Sequence, residues 1–346
     1  MSREPARAAR PLAVTLGEPA GIGLEITLMA WQQRRALGLA PFYLIVDAGY
    51  VAQRARLIGA DVKIAEVQPA GAVEAFDKSL PVAPLGEKIT AAPGRPDATS
   101  GPAAIASIRR AVEDVLKGAA AAVVTNPIAK DVMYEAGFTD PGHTEYLARL
   151  AQQTTGKPVQ PVMLLWSDDL AVVPVTIHVP LKDAPRLLTT ALIVETGRIV
   201  AREMTSRFGV AKPRLAFTGL NPHAGENGTI GNEEAGVIAP AIARLAAEGI
   251  DARGPLPADT LFHAAARKTY DVALCMYHDQ ALIPVKMLSF DRAVNVTLGL
   301  PFVRTSPDHG TAFDIAGTGR ANPGSLIAAL QLAARLTQRT PVPVSA

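Results

Sequence analysis

The sequence predicts an α/β fold built around a mostly parallel sheet. Short apolar runs typical of strands alternate along the chain with longer segments of helical periodicity. Strands that are separated by helices of this length are typical of βαβ units, in which successive strands run parallel. With 346 residues, the chain is long enough for one large domain or for two domains of ordinary size.

The predicted elements follow one another in order along the chain. The strand runs are LAVTL, FYLIVD, AAAVVTNP, DLAVVPVTIH, RLAFTGLNPH and DVALCMYH. Helical periodicity marks the segments LEITLMAWQQRRAL, GPAAIASIRRAVEDVLKG, PLKDAPRLLTTALIVETGRIVAREMTSRFG, NEEAGVIAPAIARLAAEG and NPGSLIAALQLAARLTQ. The third of these reads as one long amphipathic helix. Gly118 and Gly249 are predicted helix ends, and Asn232 is a predicted N-cap.

Composition excludes several classes of protein. The net charge is +2 and no cluster of basic residues is interleaved with aromatics, which argues against nucleic-acid binding. Cys275 is the single cysteine, so no disulfide forms within the chain, as expected in a reducing cytosol. GEPAGIG breaks the apolar stretch that follows MSREPARAAR, which argues against a signal peptide, and no apolar span approaches the roughly 20 residues of a membrane helix. We expect a cytoplasmic protein without a membrane partner.

Three histidines stand at or just after strand runs. His178, His223 and His278 end DLAVVPVTIH, RLAFTGLNPH and DVALCMYH. Ligands of α/β proteins bind beyond the carboxyl ends of the strands, and three imidazoles there predict a divalent-metal site with open positions. Asp279 and Asn221 are neighbours that could orient the rings. Each histidine alone is more often a structural, hydrogen-bonded residue, and the spacing is not that of a zinc finger or of HExxH.

Two glycine-rich segments precede helices. GEPAGIGLE (residues 17–25) could cradle an anion or approach a cofactor at Gly17, although a tight turn between strand and helix explains it equally well. Its glycines, at positions 17, 21 and 23, do not form the GxGxxG dinucleotide motif. DHGTAFDIAGTGRANPGSL (residues 308–326) would let backbone atoms close on a flat ligand.

Five polar residues are candidates for binding an anionic substrate. His143 and Thr144 stand at a predicted helix start, where Thr144 could cap the helix or expose its hydroxyl to a phosphate. Lys286, Asn295 and Arg304 follow at intervals of nine among apolar neighbours. Fixed cations near a metal suit a phosphorylated or carboxylated substrate.

Together these segments resemble the 4-hydroxythreonine-4-phosphate dehydrogenase family of pyridoxal phosphate biosynthesis. The resemblance runs through nearly the whole chain, in GEPAGIG, GHTE, GLNPHAGENGTIGNEE, GPLPADTLF, YHDQALIPVK and VNVTLGLPFVRTSPDHGTAFDIAG. HGTAFDIAGTGRANP is also similar to the adenosine-binding loop of isopropylmalate and isocitrate dehydrogenases. The resemblance implies their two-domain α/β/α fold, with an active site in the interdomain cleft. We expect residues 1–130 with 305–346 to form the cofactor-side domain, and residues 131–304 the metal, substrate and dimerisation domain.

The resemblance also implies roles for individual residues. The divalent-metal ligands, for Zn, Mg or Co, would be His178, His223 and His278, one of them supplied by the second subunit of a homodimer. The positions that match the family's substrate-binding residues are His143, Thr144, Lys286, Asn295 and Arg304. The residues that match the NAD or NADP loop of the wider superfamily are His309, Gly310 and Asn322.

The implied reaction is oxidation of 4-phosphooxy-L-threonine by NAD or NADP, with loss of CO₂ to leave 3-amino-2-oxopropyl phosphate. A metal would polarise the C3 oxygen, while Lys286 and Arg304 hold the anionic ends of the substrate. The general base would be Asp279 or Asp259, with Lys286 as a competitor. Alternatives are a dehydrogenase for another phosphorylated hydroxy acid or for a cyclic dihydrodiol, a metal-dependent hydrolase, and a non-catalytic metal-binding module.

Overall fold

The computed structural model describes residues 10–140 and 142–338. The chain is an α/β protein with mostly parallel strands, as the sequence predicts. The described residues exclude Pro141, which precedes the GHTE motif, and the C-terminal residues 339–346. They also exclude the first nine residues, on which the argument about a signal peptide depends. Two compact units make up the chain: unit 1 contains residues 10–159 and 300–337, and unit 2 contains residues 160–299.

The elements of both units are numbered in chain order. The strands are β1 (Leu12–Thr15), β2 (Phe42–Ile45), β3 (Ile64–Glu66), β4 (Leu80–Ala83), β5 (Ala122–Val124), β6 (Val162–Trp166), β7 (Ala171–Pro174), β8 (Arg214–Thr218), β9 (Asp251–Leu256), β10 (Val272–Cys275), β11 (Val294–Leu298) and β12 (Val303–Pro307). The helices are α1 (Gly23–Gln32), α2 (Arg34–Leu37), α3 (Ala48–Leu57), α4 (Ala72–Ala75), α5 (Ser100–Leu116), α6 (Lys130–Glu135), α7 (His143–Thr155), α8 (Ala184–Leu187), α9 (Thr190–Glu203), α10 (Ala239–Ala247), α11 (Ala258–Leu261), α12 (Ala264–Arg267), α13 (His278–Ser289) and α14 (Gly324–Thr337).

Unit 1 has six parallel strands in the order β3-β4-β2-β1-β5-β12. The central strands are buried along their whole length, because parallel sheets carry helices on both faces. Apolar side chains from the sheet and from α5 and α7 form one core, which includes Tyr43, Ile108, Val123, Tyr146 and Phe302. The carboxyl ends of β1, β5 and β12 are neighbours, so the loops that follow them share one edge of this sheet.

Unit 2 has a mixed sheet in the order β11-β6-β7-β10-β8-β9. Strand β6 is antiparallel to β11 and β7, whereas β7, β10, β8 and β9 run parallel to one another. Its core packs β10 against the inner face of α13, with Cys275, Ala281 and Val285 among its members. The parallel part therefore brings the carboxyl ends of β7, β10 and β8 to one edge.

The single long helix predicted over residues 180–209 is wrong. The chain forms a 3₁₀ turn at Leu181–Asp183, the short helix α8, the longer helix α9 and a π-helical turn at Met204–Phe208. Leu188 breaks the pattern with an extended backbone (ψ 110°). The Thr189 hydroxyl then caps α9 by accepting from the Leu192 N–H at 3.1 Å. A threonine before an apolar run favours a new N-terminus over a continuous helix.

Smaller differences concern helix ends. Gly249 has φ +84° after α10, as expected of a C-terminal glycine. Asn232 does not cap its helix through the side chain; its carbonyl accepts the Gly236 N–H at 2.8 Å, ahead of a π-helical turn at Glu234–Ile238.

The units divide the chain after residues 159 and 299, whereas the predicted domains divide it after 130 and 304. Within the described residues, no helix combines the length and apolar character needed to cross a bilayer.

Candidate active site

The three predicted metal ligands follow three adjacent parallel strands of unit 2. His178 comes four residues after β7, His223 comes five after β8, and His278 comes three after β10. Because β10 lies between β7 and β8 in parallel register, all three histidines leave the sheet at the same edge. The sequence predicted these strand ends correctly, and the strand order brings them to one edge of the sheet.

His278 has its ring oriented by a neighbouring carboxylate. It is the first residue of α13, and its Nδ1 lies 2.7 Å from Oδ1 of Asp279. This contact directs the other ring nitrogen, Nε2, away from the carboxylate, as is usual for metal-binding histidines. The ring centroids of His278 and His178 are 5.7 Å apart, with an angle of 43° between the ring planes. Two imidazoles therefore stand side by side at this edge.

His178 and His223 both have left-handed backbones, with φ values of +49° and +52°. His223 begins six consecutive residues with positive φ, which end at Gly228. Such conformations are unfavourable for residues other than glycine and cluster at functional sites, where the surrounding structure must hold them. Here the buried Glu234 carboxylate does so, accepting the N–H groups of Leu220 and Asn221 at 2.8 Å each.

Glu234 stays ionised in this position. Burial alone would raise the pKa of its carboxyl, but hydrogen bonds from the Asn221 backbone and side chain and from the Leu220 N–H hold that pKa below its usual value. We define the segment of residues 222–228, which Glu234 anchors, as the left-handed turn. Because the turn carries His223, the position of this imidazole depends on Glu234.

The donor set of unit 2 fits a divalent transition metal. Imidazoles suit zinc or cobalt better than magnesium, which prefers oxygen ligands, and the Asp279 contact holds one ring in a ligand's orientation. Within residues 10–140 and 142–338, however, no three His, Cys, Asp or Glu side chains are gathered as one metal-binding group. A shared site completed by a second subunit stays a prediction.

The remaining predicted residues of unit 2 lie on α13, β11 and α11. Lys286 is half-buried on α13, the helix that begins at His278, and its Nζ lies 5.8 Å from the ring centre of Phe290. Asn295 is half-buried on β11, opposite Leu165 of β6. Asp259 is exposed on α11, a short helix that packs against the left-handed turn.

Arg304 lies in the core of unit 1. It belongs to β12 and is 2% exposed, and its Nε and Nη2 donate to Oγ1 of Thr125 at 3.2 and 2.6 Å. Thr125 directly follows the neighbouring strand β5. Burial lowers the pKa of Arg304 to about 10, and the negative charge of Glu145 acts against this shift. At neutral pH the guanidinium is therefore a buried, rigidly held positive charge.

His143 lies at the N-terminus of α7, close enough to Arg304 and Lys130 to be influenced by both charges. Burial, followed by the positive charges of Arg304 and Lys130, lowers the pKa of His143 well below its usual value, so the ring is neutral at pH 7. Its Nε2 is buried without a hydrogen-bond partner among the described residues. Gly142, and not Thr144, occupies the N-cap position, which leaves the Thr144 hydroxyl without a capping role. Two cations and a helix N-terminus suit a bound anion, and we define this group as the candidate anion site.

The predicted cofactor residues also belong to unit 1. A Cβ at Gly17 (φ +73°) would lie 2.6 Å from the Pro127 carbonyl oxygen, so the glycine is required by the packing of its own turn. Nδ1 of His309 lies 3.0 Å from the Gly310 carbonyl oxygen, and a Cβ at Gly310 would meet open space. The side-chain oxygen of Asn322 accepts the Gly324 N–H at 2.9 Å, at the start of α14.

The sequence prediction missed three members of the unit 1 site: Thr125, Lys130 and Glu145. Each had a signal, because Thr125 follows a predicted strand, Lys130 comes shortly after it, and Glu145 belongs to the GHTE motif. No local pattern connects them with Arg304, which is 179 residues from Thr125 in the chain. Their contact depends on β5 and β12 being neighbours.

Comparison with known proteins identifies relatives over nearly the whole chain. The family model for the pyridoxal phosphate biosynthetic protein PdxA matches residues 39–333. The 4-hydroxythreonine-4-phosphate dehydrogenase of Bradyrhizobium diazoefficiens is 63% identical over 337 residues, which are 95% of this chain and 97% of that protein.

Solved structures agree with this comparison. A crystal structure of the 4-hydroxythreonine-4-phosphate dehydrogenase from Klebsiella pneumoniae has a TM-score of 0.83 and 36% identity, and the match covers 95% of this chain and all of the other (100%). A terephthalate 1,2-cis-dihydrodiol dehydrogenase from Burkholderia xenovorans has a TM-score of 0.63 and 26% identity, covering 94% of this chain and 98% of the other.

Proposed function

The chain belongs to the PdxA family of pyridoxal phosphate biosynthetic proteins and is a dehydrogenase, and on this basis we propose that it oxidises and decarboxylates 4-phosphooxy-L-threonine. The observation that carries the substrate assignment is the candidate anion site of unit 1. There a buried guanidinium, the neutral His143 and the N-terminus of α7 come together. A phosphate monoester is the anion that this group of donors fits.

The proposed reaction is balanced by one nicotinamide cofactor. Oxidation would remove a hydride from C3 of the substrate and a proton from its hydroxyl oxygen, with NAD or NADP as the proposed hydride acceptor. The resulting β-keto acid then loses its carboxylate as CO₂, and a proton replaces it on carbon. The product is 3-amino-2-oxopropyl phosphate.

In unit 1, the proposed role of the side chains is to hold the phosphate. Arg304 is fixed by two hydrogen bonds to Thr125, so it supplies its charge without losing side-chain freedom on binding. Lys130 adds a second charge, and Thr144 and the first N–H groups of α7 add hydrogen-bond donors. A phosphate anchored in this way limits how the rest of the substrate can turn, which favours one reacting geometry.

In unit 2, we assign the three histidines to a divalent metal, with zinc or cobalt favoured by the imidazole donors. Such an ion would lower the pKa of a hydroxyl bound to it and would stabilise negative charge on the same oxygen. His278 would be held for this role by Asp279, and His223 by the left-handed turn. Lys286 and Asn295 are proposed to bind polar groups of the substrate.

The hydroxyl proton needs an acceptor, for which Asp279, Asp259 and Lys286 are the candidates. Because Asp279 already bonds the ring of His278, we propose that it positions this histidine and that Asp259 or Lys286 takes the proton. The variants Asp259→Asn and Lys286→Met separate the two candidates. The proton acceptor is the residue whose substitution lowers kcat and also removes the decline of kcat at low pH.

We further propose a cytoplasmic homodimer that shares the metal site. The apolar side chains Ile283, Met287 and Phe290 form a stripe on α13 that is 66%, 78% and 72% exposed. A second copy of this chain is the proposed partner for this stripe, because α13 also begins with His278, the ligand that a shared site must place near the interface. Met287→Glu is expected to give a monomer in sedimentation velocity and to lose metal affinity with it.

One experiment tests the metal assignment directly. His278→Ala is expected to abolish high-affinity Co²⁺ binding, monitored by the visible absorption of the cobalt ion, and to abolish NAD(P)H formation. The matched control is His263→Ala, which removes an exposed imidazole of the same unit. Full activity of chelated, metal-free wild-type protein, or equal effects of the two variants, would contradict the assignment.

A second experiment tests the substrate. NAD(P)H formation is compared between 4-phosphooxy-L-threonine, its unphosphorylated analogue and a cis-dihydrodiol, in the wild type and in Arg304→Lys. We expect turnover of the phosphorylated compound and a loss with Arg304→Lys that is confined to it. Preferred turnover of the dihydrodiol would overturn the proposal.

A further inference from the structure

A fully buried ion pair in unit 1 lies between two glycine-rich segments. Nη1 of Arg54, on α3, is 3.0 Å from Oε1 of Glu25, on α1, and their side chains are 2% and 0% exposed. Desolvation offsets most of what such a pair contributes to stability, so its value depends on what it holds in place. The contacts of both residues point to the same answer.

Arg54 holds the first glycine-rich segment. Its Nη1 donates to the Gly21 carbonyl oxygen at 2.9 Å, and its Nη2 donates to the Pro19 carbonyl oxygen at 2.8 Å. The planar guanidinium reaches two carbonyl groups and Glu25 at once, a combination that a lysine ammonium could not reproduce in the same geometry. We define residues 17–23 as the glycine turn, and Arg54 fixes its backbone.

Glu25 holds the second glycine-rich segment, residues 309–322, which we define as the nucleotide loop. The same carboxylate oxygen that pairs with Arg54 accepts the Gly317 N–H in a short hydrogen bond. The Gly317 backbone is left-handed (φ +81°), and a Cβ there would lie 2.8 Å from Cβ of Pro93, so the loop is closely packed at this point. Glu25 therefore connects the loop with α1 across 292 residues of sequence.

The glycine turn and the nucleotide loop also bond to each other directly. The Ile22 N–H donates to the Thr311 carbonyl oxygen at 3.0 Å, and a Cβ at Gly21 would lie 3.0 Å from that oxygen. The loop is thus held at Thr311 by the turn and at Gly317 by Glu25, while Arg54 joins the two holding points.

We propose that Arg54 and Glu25 are positioning residues for the dinucleotide, which preform the nucleotide loop before the cofactor binds. The inference rests on the proposed function, in which His309, Gly310 and Asn322 of this loop bind NAD or NADP. Ordering a glycine-rich loop on binding would otherwise use part of the binding energy. The ion pair removes this cost by ordering the loop during folding.

The test compares three variants of the full-length protein. Arg54→Met removes the ion pair, and Arg54→Lys keeps a positive charge without the planar guanidinium. The control Arg110→Met removes an ion pair on α5, in which Nε of Arg110 lies 3.0 Å from Oδ1 of Asp114. Dissociation constants for NAD and NADP are measured by titration calorimetry. Hydrogen–deuterium exchange is measured over residues 309–322 and, as an internal reference, over α9.

For Arg54→Met we expect about a tenfold weaker dinucleotide affinity, which corresponds to a small part of the binding energy being used to order the loop. Exchange in residues 309–322 should be faster, and the KM for the cofactor should rise more than kcat falls. Arg54→Lys should show a smaller change in the same direction. Arg110→Met should alter neither the affinity nor the exchange of the loop.

If the wild type binds a dinucleotide and Arg54→Met changes neither the affinity nor the exchange of the loop, the inference is overturned but the proposed function is not. An equal effect of Arg110→Met would also overturn it, because the cause would then be general destabilisation. If Arg54→Met does not fold, Arg54→Lys decides by the same two measurements. A wild-type protein that binds neither dinucleotide would instead overturn the proposed function, and this inference with it.

Discussion

The two groups of site residues are held in opposite ways. In unit 1, Arg304 lies on a buried strand with its guanidinium bonded to Thr125, and the neutral His143 is shielded beside it. In unit 2, His178 and His223 are exposed and stand on left-handed backbone beyond the strand ends. The first group is prepared by the core of its own unit, whereas the second depends on anchoring side chains and on what it binds. Substitutions should therefore act differently in the two groups.

The largest effect is expected at Arg304. Arg304→Lys keeps the charge but loses the two hydrogen bonds to Thr125, and charge-assisted hydrogen bonds of this kind correspond to about a 100-fold loss in kcat/KM. Steady-state kinetics at several metal concentrations should show the same loss throughout. The control is Arg149→Lys, at a half-exposed arginine of the same unit that pairs with Asp140. A loss that disappears at high metal concentration would contradict a preformed anion site.

A somewhat smaller effect is expected at Asp279. Asp279→Asn removes the carboxylate that orients His278, and removal of such a partner lowers metal affinity about 10- to 100-fold. Competitive titration of Co²⁺ against a chelator measures this change. Asp251→Asn alters an exposed carboxylate of the same unit that pairs with Arg253, and should leave the affinity unchanged. If Asp279→Asn binds Co²⁺ like the wild type, the carboxylate does not position the ring.

The left-handed turn offers a comparison between neighbouring carboxylates. Glu234→Ala removes the acceptor of the Leu220 and Asn221 N–H groups, and we expect about a tenfold loss of metal affinity with a lower Tm, because buried donors are left unsatisfied. Glu233→Ala removes only a contact to Nδ2 of Asn221, at 2.7 Å, and should have a small effect. Equal behaviour of the two variants would show that the turn does not need Glu234.

The smallest effect concerns stability against pH. Because burial and the charges of Arg304 and Lys130 lower the pKa of His143 in the folded protein, the unfolded chain binds this proton more readily. The contribution of the neutral ring to stability is full above the unfolded pKa of about 6.5 and is lost as the pH falls below it. The Tm of the wild type should therefore fall more steeply than that of His143→Gln between pH 7 and pH 5. If the Tm of the two proteins depended on pH in the same way, the His143 ring would be solvated in the folded protein.

Local patterns were sufficient for six of the twelve described strands, whereas no strand was predicted for β3, β4, β6, β9, β11 or β12. The apolar runs before His178, His223 and His278 are strands β7, β8 and β10, and His143 begins a helix as predicted. The failure at residues 180–209 has a local cause, because the apolar periodicity continues across a position where the Thr189 hydroxyl competes for the backbone. Periodicity reports which face of a helix is buried, but it does not report where a cap interrupts the helix.

The sequence supplied the site as a set of candidate residues but not as an arrangement. The motifs identified the family and marked the histidines as candidates, because these residues are local and specific in sequence. They did not indicate that burial, Arg304 and Lys130 together lower the pKa of His143, or that Glu145 opposes the lowering of the Arg304 pKa by burial. They also did not indicate that Glu25 and Arg54 connect the glycine turn with the nucleotide loop. Each of these relations joins side chains that local spacing leaves unconnected.

By itself, the sequence determined the α/β class and the family and supplied the candidate site residues, since hydrophobic periodicity and motifs are properties of neighbouring residues. Only the tertiary structure decided which strand ends adjoin, and so which side chains meet. The contact between Arg304 and Thr125 spans 179 residues and that between Glu25 and Gly317 spans 292. Contacts over such separations follow from strand order and core packing, which no single segment of the chain encodes.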